Sequence, residues 1–252
     1  MSICLNSGFS PAAQMPKRVI SVRIRPFPRA AQLILCTDLR SIDAILDHLT
    51  YLTPIRNLLY VTDATVNFHG DFAPSHKLEH LTCFLPGLLA LGAATLPDIP
   101  PRHMWAARAF AHTCWTLYAD SPSGLAPDEV IMRSSNRHGG PAPFGRLWVT
   151  HLEKWEQSGA EGDPPGVRPA PPIRDVNQAS EYTPVRPSHL LRPETIESFY
   201  LLWRITGDEV WREHGWEVFE ALEREARLEG GGYACLKHAH SRAGTKTDEM
   251  PR

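Results

Sequence analysis

Leu190-Leu191-Arg192-Pro193-Glu194-Thr195-Ile196-Glu197-Ser198, read on through Thr206-Gly207-Asp208 to Leu222, is the stretch that decides the fold. Ile196, Phe199 and Trp203 recur at helical spacing, and Trp211, Val218, Phe219 and Leu222 do so again beyond the turn. Gly207 suits the left-handed position that ends the first helix, and Asp208 suits the cap of the second. Together they read as an αα-hairpin with a short connection. Pro193 fits the first helical position, where a missing N–H is no loss. Glu194 and Glu197 then share one face of the opening turn, where the exposed N–H groups and the helix dipole favour ionised carboxylates. Two carboxylates and a guanidinium at a helix mouth suit a general base, or the holding of a hard cation's waters. The plainer alternative is helix-end charge complementarity, with Arg192 as a surface ion partner.

Working outward, Ile42, Ile45, Leu46 and Leu49 predict an amphipathic helix that starts after a cap at Thr37 or Asp38 and ends near Pro54. Leu58 to Thr62 reads as a strand or an extended loop edge. The most apolar stretch runs from Leu78 to Ala93, and its Pro86-Gly87 should start a helix or kink one. A long helix over 102–119 carries Phe110, Cys114 and Leu117 on one stripe. The composition changes after Ser121, and a Pro/Gly-rich excursion over about 131–187 includes Gly139-Gly140-Pro141 and one short helix near Trp148 to Trp155. Loops of that length usually line a site or lack order. The expected fold class is all-α, with helical hairpins set in a toroid more than a bundle and short β-hairpins in the loops.

Charged residues make up 21% of the 252, the formal net charge is -2 and the pI is about 6.6. That balance excludes the basic surface of a nucleic-acid partner and favours a small or neutral ligand. No apolar run reaches the length of a membrane span. The five cysteines show no CxxC or finger spacing, which argues against structural zinc. The pair His238 and His240 reads as solvated. Residues 1–37 hold Lys17, Arg18, Arg23, Arg25 and Arg29 and no acidic residue, a superficial likeness to a transit peptide. They are taken as an irregular segment outside a domain at 38–250, and no targeting signal is read in the chain.

Four separated segments carry a resemblance. They are Leu78-Glu79-His80-Leu81-Thr82-Cys83-Phe84-Leu85-Pro86-Gly87, Gly124-Leu125-Ala126-Pro127-Asp128, Leu191 to Ser198, and Thr206 to Leu222. In order and spacing they resemble the class I α-1,2-mannosidases, glycoside hydrolase family 47, over roughly Ser41 to Met250. The resemblance implies a partial (α/α)7 barrel, a Ca²⁺ cofactor, and inverting hydrolysis of terminal α-1,2-linked mannose from high-mannose N-glycans. It implies an endoplasmic reticulum or Golgi lumen setting, or secretion. It makes Glu194 the general base and places Glu197, with Glu194, around calcium through water. Arg192, His80 and Glu79 become substrate contacts. Asp128 takes a substrate-binding position where the family has Glu, one methylene longer. Cys83 and Cys114 become disulfide partners; the competing reading is two buried free thiols. The competing reading of His80 is a core histidine satisfied by a neighbour.

Inversion needs a carboxylic acid opposite the base, roughly 6.5–9.5 Å away. The resemblance places the family's acid upstream of every matched segment, and the first glutamate here is Glu79. Asp248-Glu249-Met250 opens a family motif that Pro251-Arg252 does not continue, and the threonine that binds calcium directly has no counterpart. The expectation is therefore a central-to-late piece of such a catalytic domain, carrying its base side, with impaired turnover alone. The alternative is a non-catalytic mannosidase-like lectin in glycoprotein quality control. A helical scaffold without sugar contact would account for the helices but not for the polar motifs between them.

Overall fold

A computed structural model describes residues 29–66, 72–96, 98–134, 147–168, 170–173, 180–242 and 244–248. Residues 1–28, Gly139-Gly140-Pro141 and the Glu249-Met250 end of the C-terminal motif lie outside them. Helix α1 spans Arg29–His48, so it starts well before the expected cap at Thr37 or Asp38. The run Ala30 to Cys36 holds alanine, glutamine and leucine without a breaker, and propensity carries the helix through it. Two hairpins follow, β1 (Thr50–Leu52) with β2 (Leu59–Val61) and β3 (Ala64–Val66) with β4 (Phe72–Pro74). Leu58 to Thr62 thus resolves as a strand. Next come β5 (Lys77–Glu79), a 3-10 turn (His80–Phe84) and α2 (Leu85–Thr95), with Pro86 in its first turn. Pro86 starts this helix and does not kink it. Helix α3 (Pro101–Ala119) matches the expected long helix.

The excursion is tied down at several points. β6 (Glu129–Met132) precedes it, α4 (Trp148–Gln157) lies within it, and β7 (Tyr182–Arg186) brings the chain back. β5, β6 and β7 make one antiparallel sheet in that order, with a register shift between Glu129 and Val130. This sheet was not legible in advance, because strands of three to five residues are too short for a period to show. Pro184 is tolerated in β7 because that strand is an edge. Glu181, fully buried, accepts the backbone N–H groups of Ile55 (2.9 Å) and Arg56 (2.7 Å). The Arg56 guanidinium grips Asp120 through both nitrogens, at 2.6 and 3.1 Å. Helix α4 packs on α1 and β1 through buried Trp148 and Leu152.

The hairpin appears as read, with α5 over Glu194–Thr206 and α6 over Val210–Glu225. Gly207 ends α5 at φ 70°; the N-cap of α6 is Glu209, one place after the expected Asp208 and within the ordinary spread of helix boundaries, while the Asp208 carboxylate accepts the Val210 N–H at 3.3 Å. A last small ladder joins β8 (Cys235–Leu236) to β9 (Lys246–Thr247). Two corrections concern side chains. Phe219 is 44% exposed, because the inward face of α6 follows Trp211, His214, Val218, Ala221 and Glu225. His240 is half-buried, not solvated, and burial lowers its pKa.

Helix α2 packs on both α3 and α5, and α5 also packs on α6 and α3. Phe110, Leu117, Phe199, Leu202 and Trp211 are buried in that core. Cys83 and Cys114 are joined, their Cα atoms 6.1 Å apart, so the turn before α2 is tied to the middle of α3. At the closest approach of α2 and α5, the Gly87 N–H donates to Ser198 Oγ at 2.9 Å, and that hydroxyl donates to the Cys83 carbonyl at 2.5 Å. A Cβ on Gly87 would stand 3.1 Å from the Ser198 backbone and 2.9 Å from the Leu201 side chain. Gly87→Ala is therefore expected to destabilise the chain by about 1–3 kcal/mol, outweighing the gain of up to ~1 kcal/mol in helix propensity. Denaturant melts check this; a variant as stable as the parent would refute the close packing.

Candidate functional site

The polar site assembles where the three-stranded sheet meets the start of α5. Asp128, just before β6, is held by its backbone. Its N–H donates to the Ser188 carbonyl (2.8 Å) and the Arg186 carbonyl (3.1 Å), and its carbonyl accepts the His80 N–H (2.8 Å). Its side chain is 4% exposed and lies between two guanidiniums, with Arg192 Nε donating to Oδ1 at 3.0 Å and Arg186 Nη1 to Oδ2 at 3.1 Å. One residue beyond Arg192, Pro193 stands at the N-cap at φ -87°, and Glu194 opens the helix. The proline is one place earlier than expected, within the ordinary spread of helix boundaries. Glu194 and Glu197 both fall in the first turn of α5. Glu194 is half-buried, and among the described residues its shielded Oε2 has no hydrogen-bond partner. Glu197 is exposed.

His80 sits directly beneath this turn, 2% exposed. Its Nε2 meets the Tyr118 hydroxyl at 2.5 Å and the Thr195 hydroxyl at 3.1 Å. Burial, and then the neighbouring His189 and Arg192, push its pKa down to about 3, so the ring is neutral. Burial likewise raises the Tyr118 phenol. This geometry is the satisfied-core alternative for His80: the ring anchors Thr195, next to Glu194, and offers no open face for a ligand. Its ring centre lies 5.9 Å from that of His189, whose Nδ1 bonds the Ala126 carbonyl at 2.8 Å. Glu79 stands at the sheet end of the site, ion-paired with Lys77.

The structure thus gathers Arg192, Asp128, His80 and Glu194 around one helix start, with Glu79 and Glu197 at the margins. It adds Tyr118, Thr195, His189 and Arg186. Thr195 lies within the stretch from Leu191 to Ser198, but Tyr118 stands near the end of a helix with no motif around it, and Arg186 belongs to the Pro-rich excursion. A cavity of about 830 Å³, lined by Ile55, Arg56, Gly166, Arg168, Ala170 and Ile173 among others, includes none of these residues. Among the described residues no group of three or more His, Cys, Asp and Glu side chains is gathered for a metal. No helix there is long and apolar enough to cross a membrane.

Comparison with known proteins bears on this arrangement. The chain is 30% identical over 198 residues to an endoplasmic reticulum mannosyl-oligosaccharide 1,2-alpha-mannosidase of Homo sapiens, covering 79% of the chain and 22% of the human protein. A mannosyl-oligosaccharide 1,2-alpha-mannosidase of Arabidopsis thaliana is 29% identical over 201 residues, covering 72% of the chain and 27% of that protein. The chain therefore spans about a quarter of the length of these curated relatives. An alpha-1,2-mannosidase from Trichoderma reesei superposes with a TM-score of 0.60 at 21% identity, over 83% of this chain and 37% of the other, a likeness of fold. Residues 34–252 match the model of Glycosyl hydrolase family 47, and with the match covering most of the sequence, the chain belongs to that family.

Proposed function

We propose that this chain acts on terminal α-1,2-linked mannose of high-mannose N-glycans, with Glu194 as the base of an inverting hydrolysis in the lumen of the secretory pathway. Its packed helices α2, α3, α5 and α6 are then part of an (α/α)7 barrel. The observation that carries the reading is the Glu194 carboxylate, half-buried at a helix N-terminus with one oxygen shielded and without a partner. An uncommitted carboxylate oxygen of that kind suits a water whose proton it takes as the water attacks the anomeric carbon. The bond to the departing sugar breaks on the opposite face, and its oxygen needs a proton from an acid across the site. Arg192 presents its guanidinium to the sugar hydroxyls, and His80 keeps Thr195, and so the first turn of α5, in place.

The same orphaned oxygen fits a calcium site. Glu194 and Glu197 would hold the ion through its waters, and two carboxylates fall short of the six to eight oxygens calcium takes, so most of its shell is water. When bound, the ion supplies a fixed positive centre that orders those waters.

One observation favours the lectin alternative. Both oxygens of Asp128 are engaged by arginines, and Glu79 is paired with Lys77. Both carboxylates are committed to cations of the chain itself, so turnover by the chain alone is expected to be slow. Titration with a high-mannose glycan, with calcium and with chelator, and assay of released mannose separate the readings. Glu194→Gln is expected to cut release by at least about a hundredfold while leaving glycan affinity within a few-fold. Binding without release supports the lectin; neither binding nor release overturns the sugar site.

A further inference from the structure

Arg186 closes β7 at the foot of the excursion, and its guanidinium bridges Asp128 Oδ2 at 3.1 Å and Glu129 Oε1 at 3.2 Å. Asp128 gives its other oxygen to Arg192 Nε. One nearly buried carboxylate is thus shared by a guanidinium that is 56% exposed and one that is 18% exposed. The backbone of Asp128 is fixed from both sides, but the last torsion of an aspartate is broad and roughly two-fold. With a single partner the carboxylate would be able to swing and take Arg192 with it. A second guanidinium on the second oxygen removes that freedom.

Arg192 uses Nε for Asp128, and among the described residues its two terminal nitrogens make no hydrogen bond to the chain. A guanidinium held by Nε presents these as a planar pair of donors, a fork that matches two neighbouring oxygens. The vicinal hydroxyls of a pyranose have that spacing.

We propose that Arg186 is a positioning residue: through Asp128 it fixes the aim of Arg192, whose terminal nitrogens grip a vicinal diol of the sugar. The ligand half of this inference rests on the sugar-site reading above. The pair with Asp128 adds little to stability, because Arg186 is more than half in water; its effect is on direction.

The test uses the purified 252-residue chain. The Nε–H resonance of Arg192, assigned by its loss in Arg192→Lys, is followed alongside calorimetric titration with a high-mannose glycan. In the parent the resonance is expected to be sharp and slow to exchange. Arg186→Ala should broaden it or speed its exchange, and weaken glycan binding about fivefold, with an unchanged melting temperature. Arg186→Lys, which restores one donor to Asp128, should recover most of both. An Arg192 signal unaltered in Arg186→Ala overturns the proposal, whatever the binding does. If the parent binds no glycan, the sugar reading fails by itself, and the resonance still decides whether Arg186 fixes Arg192.

Discussion

Replacing Cys83 and Cys114 together by alanine is expected to lower stability by about 3–4 kcal/mol, the entropy of closing a loop of this length in the unfolded chain. The bridge spans 31 residues of sequence. Thermal melts of oxidised chain and double variant should differ by roughly 6–16 °C, and reductant should bring the first down to the second. The effect also has a local side. Cys83 is fully buried, and its carbonyl accepts the Ser198 hydroxyl, so the bridge braces the junction of α2, α3 and α5 as well as shortening the unfolded chain. A melting point that ignores both reductant and substitution would mean that packing alone holds the junction.

Acid should weaken the fold well before carboxylates begin to protonate. His80 and His112 are both buried, and burial pushes each down to about 3. For His112 the nearby His214 and Arg108 add to that shift. An imidazole whose folded pKa lies below its unfolded value near 6.5 binds its proton more readily in the unfolded chain. Its contribution is complete above that value and drains away as the pH falls toward 3. At pH 5 each ring costs about 2 kcal/mol, or about 4 kcal/mol for the two. Burial lowers His189 and His214 as well, which deepens the trend. Urea midpoints at pH 7.5 and pH 5 measure it, and His112→Gln should remove about half of the difference between the two rings' combined loss and zero. A midpoint flat across that range would show that water reaches these rings.

The parts legible in the sequence are those where one pattern governs. Gly207 and Asp208 punctuate two periodic runs, and the hairpin follows. Pro86 opens α2, and α3 is long enough for its stripe to show. Cys83 and Cys114 pair as the resemblance implied. What was illegible depends on contacts between distant segments. His214 replaces Phe219 on the buried face of α6 because that face meets a cluster of rings, with Trp115 stacked on His214 at 4.0 Å between centroids. Composition alone ranks phenylalanine above histidine for such a place. In the site, Arg192 and Glu194 were plain from their helix mouth. The anchoring role of His80 was not, since it requires Tyr118 from the end of α3 and Thr195 from α5 to converge on one nitrogen.

The ladder between β6 and β7 has a bearing on which changes of length the molecule can absorb. Met132 faces Tyr182 and Val130 faces Pro184, so the pairing clasps both ends of the segment between them. Beyond the clasp the segment is not one open loop, because α4 packs on α1 and β1 with Trp148 and Leu152 buried, and extra residues inside that helix would disturb the packing. Within the clasp, a single inserted residue would rotate the buried Val130 and Met132 outward and bring the exposed Ile131 in. Changes of length are therefore most damaging at the root, where Asp128 and Arg186 are lodged.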